Sequence, residues 1–129
     1  MFLYKKSLKK AKENIRLFNK EDNIRCIFGD ATEVLENLTG KFDFIFIDAA
    51  KGQYRDHFEK SLKLIRPGGV IITDDVLYFG MTASDELATK KHSTITKRLR
   101  EYLDFLCNDK RFETIILPIG DGVAITCVK

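Results

Sequence analysis

The stretch FDFIFIDAAKGQY, Phe42–Tyr54, is the most informative part of the chain, because an apolar strand pattern runs directly into a carboxylate and then a lysine. Its first part, Phe42–Ile47, is apolar at nearly every position, which is typical of a strand buried on both faces of a parallel sheet. We therefore predict that this strand lies at the centre of a sheet covered by helices. Asp48 ends the strand, and Lys51 follows at the start of the next segment.

A second stretch, GGVIITDD at Gly68–Asp75, repeats this pattern with two carboxylates at its end. The carboxyl ends of neighbouring parallel strands meet at the edge of the sheet where ligands bind. Asp48, Asp74 and Asp75 are therefore predicted to converge, and such oxygen ligands suit Mg²⁺, Mn²⁺ or Ca²⁺. Capping of the following helix explains any one of these acids about as well, but it is a much weaker explanation for all of them together with Lys51.

The remaining patterns alternate between helical and strand periodicity. They predict helices at Lys5–Asn19, Thr32–Leu38, Phe58–Ile65 and Ser93–Asn108, and strands at Ile24–Phe28, Phe42–Ile47, Val70–Thr73, Thr114–Leu117 and Val123–Val128. Pro67-Gly68-Gly69 is expected to end the third helix, and the turn residues Pro118–Gly122 predict an antiparallel hairpin. The series predicts a single α/β domain over residues 1–129, doubly wound and mostly parallel, that ends in this hairpin.

Composition narrows the class of protein. The chain has 129 residues, 44% of them hydrophobic and 32% charged, which fits one globular domain. No apolar stretch approaches the roughly 18 residues of a membrane span, and the first residues lack the features of a secretory signal, so we expect a cytoplasmic protein without membrane contact. Cys26, Cys107 and Cys127 show no C-x-x-C spacing, and we expect them to be reduced and structural.

The net charge of +3 is too small to identify a nucleic-acid partner by itself. Basic residues nevertheless cluster in two helical segments, Lys5–Arg16 and Lys90–Arg100. Each cluster is either a patch that attracts phosphates or a solvated helix face. The sequence leaves both interpretations open.

Two motifs carry a family resemblance. Asp48-Ala49-Ala50-Lys51 and Asp74-Asp75-Val76-Leu77 resemble the Asp-Ala-x-Lys and Asp-Asn-Val-Leu motifs of class I S-adenosylmethionine (SAM)-dependent O-methyltransferases that use a divalent cation, such as the catechol and caffeoyl-coenzyme A enzymes. The resemblance covers essentially the whole chain and implies a Rossmann-like fold. Ile47–Tyr54, Asp74–Gly80 and Pro118–Ile125 most resemble the bacterial tRNA 5-hydroxyuridine methyltransferases within this family.

The resemblance also implies roles for individual residues. Asp48, Asp74 and Asp75 would ligate the metal, and Lys51 would be the base that helps to deprotonate the acceptor hydroxyl. Asp75 departs from the family pattern, which has asparagine at this position. The added anion favours the protonated form of a neighbouring lysine, so metal affinity is expected to rise while Lys51 becomes a poorer base.

The cofactor segment is only partly recognisable. Asp30 and Ala31 match the Gly-Asp-Ala segment that receives the adenine ring of SAM, and Asp48 is also assigned to the cofactor site by resemblance. The glycine-rich turn for the methionine part and the acid for the ribose are not found, and the ribose acid would align near Phe2.

The chain is therefore expected to be the C-terminal part of a SAM-dependent O-methyltransferase domain that lacks the first strands. These strands would lie between Ile24–Phe28 and Phe42–Ile47. The bare strand edges would favour aggregation or completion by another chain, for example in a homodimer.

Three hypotheses about the function remain open. The leading expectation is metal-assisted O-methyl transfer to 5-hydroxyuridine at the wobble position in a tRNA anticodon loop, with bases stacked on aromatic side chains. The alternatives are the same reaction on a small catechol-like phenol and a truncated fragment without catalytic activity. Tyr54, Tyr78 and Phe79 are candidates for stacking, although each fits a core or rim position at least as well.

Overall fold

A computed structural model of the chain describes the backbone of residues 2–129 and the side chains of residues 6–129. The chain divides into two compact units, one up to Val34 and one from Leu35 to Lys129. The prediction of a single domain over residues 1–129 stays a prediction. No helix within residues 2–129 has the length and apolar character needed to cross a membrane.

The first unit begins with helix α1, Phe2–Leu17. Asn19 follows in a left-handed conformation (φ 51°), and the amide of Lys20 donates to the carbonyl oxygen of Ile15 at 3.0 Å, which is a common way to end a helix. The strand predicted at Ile24–Phe28 is wrong. This segment forms no strand, because no neighbouring strand in residues 2–129 supplies ladder hydrogen bonds. Its apolar side chains are about half exposed.

Helix α2, Ala31–Asn37, leads out of the first unit. Asp30 stands immediately before it, and its Oδ1 accepts a hydrogen bond from the amide of Thr32 at 2.9 Å. This is the arrangement of a helix N-cap, which satisfies an amide that has no partner inside the helix.

The second unit contains a four-stranded sheet with the order β1-β2-β4-β3. The strands are β1 (Phe42–Ile47), β2 (Ile65–Thr73), β3 (Phe112–Leu117) and β4 (Val123–Val128). β1 and β2 are parallel, whereas β2–β4 and β3–β4 are antiparallel. The α/β class and the final antiparallel hairpin are confirmed: β1, β2 and β3 run in the same direction, and β4 runs against them.

Two helices cover one face of this sheet. α3 spans Tyr54–Ser61 and α4 spans Ser93–Asn108, each preceded by a short 3₁₀ turn, at Lys51–Gln53 and Lys90–His92. The third helix was predicted to continue to Ile65, which is wrong. Ile65 instead begins β2 and pairs with Phe42, because the irregularity that follows in the ladder accommodates Pro67-Gly68-Gly69 within the strand.

The core lies between these helices and the sheet. Phe58 and Leu99 are fully buried against Ile71 and Ala124 of the sheet. Phe58 also makes an edge-to-face contact with Tyr102, with ring centroids 5.9 Å apart. This layer fixes the helices relative to the strand ends that carry the candidate site.

The opposite face of the sheet is largely open. Phe44 and Phe46 of β1 are each 54% exposed, and Ile115 of β3 is 57% exposed. The prediction that β1 is central and buried on both faces is therefore wrong in the described chain. β1 is an edge strand, because among the strands of residues 2–129 it pairs with β2 alone.

The cysteines are free, as predicted. Cys107, however, lies on the exposed side of α4 and does not act as a core residue. Cys26 and Cys127 are half-buried.

Candidate active site

The ends of β1 and β2 place their acids at one edge of the sheet. Ile47 and Thr73 are paired in the parallel ladder, and the amide of Asp74 donates to the carbonyl oxygen of Ile47 at 3.0 Å. Asp48 and Asp74 therefore directly follow Ile47 and Thr73, which are paired with each other on adjacent strands. The prediction that the two strands are sheet neighbours is confirmed.

Lys51 lies at this same edge. It starts the 3₁₀ turn after β1, and its Nζ donates to Asp75 Oδ2 at 2.9 Å. Partial burial lowers the pKa of Lys51, but the hydrogen bond to Asp75 and the nearby charges of Asp75 and Asp121 outweigh it, so the pKa is raised above its ordinary value. The anion at position 75 thus favours the protonated form of Lys51, and the role of Lys51 as a base stays a prediction.

The turn at Asp74-Asp75 is stabilised by local hydrogen bonds. Asp74 Oδ1 accepts the amide of Asp75 at 2.8 Å, and the carbonyl oxygen of Asp74 accepts the hydroxyl of Tyr54 at 2.9 Å. Asp75 has a φ of 54°, a left-handed conformation that few residues other than glycine adopt. This backbone strain at a strand end is characteristic of residues whose position matters for a site.

The turn that connects the β3–β4 hairpin fixes the segment after Asp75. The amide of Leu77 donates to the carbonyl oxygen of Asp121 at 2.8 Å, and the amide of Phe79 donates to Asp121 Oδ1 at 2.5 Å. The amide of Val76 donates to the carbonyl oxygen of Gly122 at 3.0 Å. Asp121 and Gly122 thus hold the backbone that leads away from the strand end.

The aromatic residues near the site differ in exposure. Tyr54 is only 1% exposed, so it is a core residue, and its proposed stacking role is wrong. The hydroxyl of Tyr78 forms a 2.7 Å hydrogen bond with His92 Nδ1, and the ring of Tyr78 lies 5.9 Å from Lys51 Nζ. Phe79 is 74% exposed and is the aromatic ring that a ligand can reach most easily.

The chemistry of the acids fits a hard divalent cation, because every donor is a carboxylate oxygen. Their present contacts do not form a prepared cage: Asp75 is paired with Lys51, and Asp74 Oδ1 accepts a backbone amide. Within residues 6–129, no group of three or more His, Cys, Asp or Glu side chains is arranged to hold a metal ion. The assignment of Asp48, Asp74 and Asp75 as metal ligands stays a prediction.

The predicted cofactor residues are not all in one unit. Asp30 and Ala31 belong to the first unit, whereas Asp48 belongs to the second. The carboxylate of Asp30 caps α2, which accounts for this acid without a ligand. Contacts of Asp30, Ala31 and Asp48 with SAM stay predictions.

Sequence analysis assigned no role to His92 or Asp121. His92 lies in a basic helical segment, and no local pattern distinguishes it. Asp121 stands in the PIGDGVAI segment between two glycines, which marked the turn but not its contact with Phe79. Of this turn, the sequence could indicate only the positive φ of Gly122, 86°, because glycine adopts this conformation readily.

Comparisons with known proteins agree on one family. The family model for O-methyltransferases matches residues 3–129. The chain is 32% identical over 112 residues to a caffeoyl-CoA O-methyltransferase of Populus kitakamiensis (81% of this chain, 48% of the relative). It is 38% identical over 113 residues to a flavonoid 3',5'-methyltransferase of Vitis vinifera (81% and 48%).

Solved structures give the same result. The O-methyltransferase of Bacillus cereus in complex with SAH superposes with a TM-score of 0.81 at 30% identity, covering 96% of this chain and 59% of that one. The SAH-bound methyltransferase of Podospora anserina gives a TM-score of 0.83 at 26% identity, covering 96% and 57%. The chain spans about half the length of the curated relatives that it matches. Its fold is Rossmann-like, and the chain belongs to the family of SAM-dependent O-methyltransferases.

Proposed function

We propose that the protein transfers a methyl group from SAM to a hydroxyl of an acceptor that presents two adjacent oxygens, with the help of a divalent cation. The observation that carries this proposal is the position of Asp48, Asp74 and Asp75 at the ends of two neighbouring parallel strands, with Lys51 bonded to Asp75. Membership of the family and its SAH-bound structures support SAM as the methyl donor.

Asp48, Asp74 and Asp75 would hold the cation, which is Mg²⁺ or another hard divalent ion. When bound, it supplies a positive charge that lowers the pKa of the acceptor hydroxyl. Lys51 acts on the same oxygen. As the ammonium favoured by Asp75, it donates a hydrogen bond to the oxyanion, and only the fraction present as a free amine removes the hydroxyl proton.

For the acceptor, we propose 5-hydroxyuridine at the wobble position of a tRNA anticodon loop. Its O5 hydroxyl lies next to the O4 carbonyl, which provides the two adjacent oxygens. The reason for this choice is the resemblance, inferred from the motifs alone, of Ile47–Tyr54, Asp74–Gly80 and Pro118–Ile125 to the bacterial tRNA 5-hydroxyuridine methyltransferases. The exposed ring of Phe79 offers a surface on which an unstacked base can lie.

A catechol-like phenol is the second candidate acceptor. The caffeoyl-CoA and flavonoid relatives favour it, because both names describe phenolic substrates. A phenol with vicinal hydroxyls presents the same pair of oxygens to the same acids.

Two experiments test the reaction and its acceptor. Binding of Mn²⁺ to the chain, followed by electron paramagnetic resonance, should weaken strongly in Asp48→Asn but not in Asp43→Asn, which removes an exposed carboxylate from the same strand. Equal Mn²⁺ binding by both variants would exclude the metal site.

The second experiment follows a labelled methyl group from SAM to tRNA with 5-hydroxyuridine, to the same tRNA with uridine, and to catechol. We expect labelling of the first alone. Labelling of catechol alone would favour the phenol. Mn²⁺ binding without any transfer would support a fragment that is inactive by itself.

A further inference from the structure

A cavity of about 220 Å³ opens beside Lys51, on the side of α4. It lies within the second unit and is separate from the acids at the ends of β1 and β2, although Lys51 is shared by both. Its walls are formed by Lys51, Gly52, Arg55, Arg98, Glu101 and Tyr102.

The charges in this cavity are unbalanced. Lys51, Arg55 and Arg98 contribute cations, whereas Glu101 is the one carboxylate among the described residues that line it. Glu101 is itself paired with Lys97 on the helix surface, at 3.9 Å. Because Lys51 and Arg55 are paired with carboxylates outside the cavity, Asp75 and Glu59, the excess positive charge next to the candidate active site rests on Arg98.

Arg98 is the cation best placed to take a ligand. Among the side chains that the structure describes, it forms neither an ion pair nor a hydrogen bond. Arg55, by contrast, is already engaged: its Nε donates to Glu59 at 2.6 Å, and its guanidinium stacks on Phe105, 3.4 Å from the ring centroid. Lys51 is paired with Asp75. Arg98 thus retains its donors for a molecule from outside the chain.

Gly52 allows this position of the arginine. A Cβ atom at residue 52 would stand 3.1 Å from an Arg98 guanidinium nitrogen, closer than nearly all such contacts. The guanidinium therefore lies directly over the turn that begins with Lys51. An anion held by Arg98 would be adjacent to the residue that acts on the acceptor hydroxyl.

We propose that this cavity binds a phosphate group that is part of the acceptor molecule. A guanidinium presents a planar set of donors that matches two phosphate oxygens, and such charge-assisted pairs are among the stronger hydrogen bonds in proteins. The inference rests on the proposed function, because the phosphate is useful there only if the rest of the acceptor reaches Lys51. Phosphodiesters of RNA and the phosphates of a coenzyme A thioester share this chemistry.

The test compares ligands that differ only by phosphate. Calorimetry on the chain, without SAM or added cation, measures uridine 3′-monophosphate against uridine and 4′-phosphopantetheine, the phosphate-bearing arm of coenzyme A, against pantetheine. We expect the phosphate-bearing member of at least one pair to bind at least about tenfold more tightly. The pair that shows the preference identifies the source of the phosphate.

Arg98→Gln should remove this preference. Lys110→Gln is the matched control, because it deletes one positive charge from an exposed residue outside the cavity. A preference that is absent from both pairs, or that falls equally in the two variants, would overturn the proposal.

The result separates this inference from the proposed reaction. Methyl transfer that depends on Asp48 without any phosphate preference would remove the phosphate site alone. A phosphate preference that depends on Arg98 without methyl transfer would leave the site in place and remove the reaction.

Discussion

Lys51 Nζ lies 2.9 Å from Asp75 Oδ2, so the predicted base and one predicted metal ligand form a single ion pair across the ends of β1 and β2. Both side chains are partly exposed, at 21% and 41%, and a bound ligand can therefore compete for either. The pair links two functions that sequence motifs assign separately. The charge at residue 75 affects the protonation of residue 51.

Substitution Asp75→Asn tests this link. It removes the hydrogen-bonding anion that raises the pKa of Lys51, so this pKa should fall, as measured by NMR titration of the lysine Nζ. In an otherwise complete enzyme, metal-dependent activity should be equal or higher, because asparagine keeps an oxygen ligand and gives a less strongly protonated base. Asp43→Asn is the control and should leave the pKa of Lys51 unchanged. A large loss of activity in Asp75→Asn would contradict the interpretation.

Substitution Gly122→Ala tests the support of the segment after Asp75. The new Cβ would overlap the side chain of Leu77, and residue 122 has a φ of 86°. Left-handed strain costs about 1–2 kcal/mol, and overpacking adds about 1–3 kcal/mol. Gly120→Ala carries the strain alone, because among the described residues no atom beyond its own chain neighbours lies within 4 Å of the position that its methyl group would take. Urea unfolding should show a clearly larger loss of unfolding free energy for Gly122→Ala than for Gly120→Ala. Adding Leu77→Ala to Gly122→Ala should recover part of this loss.

Substitution Tyr102→Phe tests the buried hydrogen bond behind the site. The hydroxyls of Thr73 and Tyr102 lie 2.7 Å apart, and both residues are 1% exposed. Loss of one partner leaves the other unsatisfied and should cost about 1–3 kcal/mol of unfolding free energy. The double variant Thr73→Val/Tyr102→Phe should be less destabilised than the sum of the single changes. Strict additivity in this cycle would show that the hydroxyls do not interact.

Acid unfolding tests the turn between α4 and β3. Hydrogen bonds from the Arg111 side chain and backbone lower the pKa of Asp109 from 3.8 to about 2. A carboxyl whose pKa is lower in the folded state contributes stability above its unfolded pKa, and this contribution is lost as pH falls through the folded value. In Asp109→Asn, the urea midpoint should therefore depend less on pH between about 4 and 2. An unchanged pH dependence would show that the contact does not persist in solution.

Local patterns were enough to predict several elements of this protein. The Ser93–Asn108 helix and the strands Phe42–Ile47 and Val123–Val128 have the predicted bounds. Helical periodicity, β-branched runs and turn residues act over a few positions, so these elements can be inferred without knowledge of the rest of the chain. The family motifs at Asp48 and Asp74 are similarly local.

The surfaces and partners of these elements depend on long-range packing. Sequence predicted β1 as a central strand, whereas it has one neighbour and an open face. The start of β2 at Ile65 depends on pairing with Phe42, and the contact between Asp121 and Phe79 joins residues far apart in the chain.

The candidate site and the cavity also depend on long-range packing. Lys51 and Asp75 are separated by a helix and a strand, and Arg98 reaches Gly52 from α4. Sequence supplied the chemical groups, because charge and hydrogen-bonding capacity belong to each side chain alone. Their pairing depends on packing between distant segments, which must overcome the entropy of closing the intervening loops and is not encoded in any short stretch.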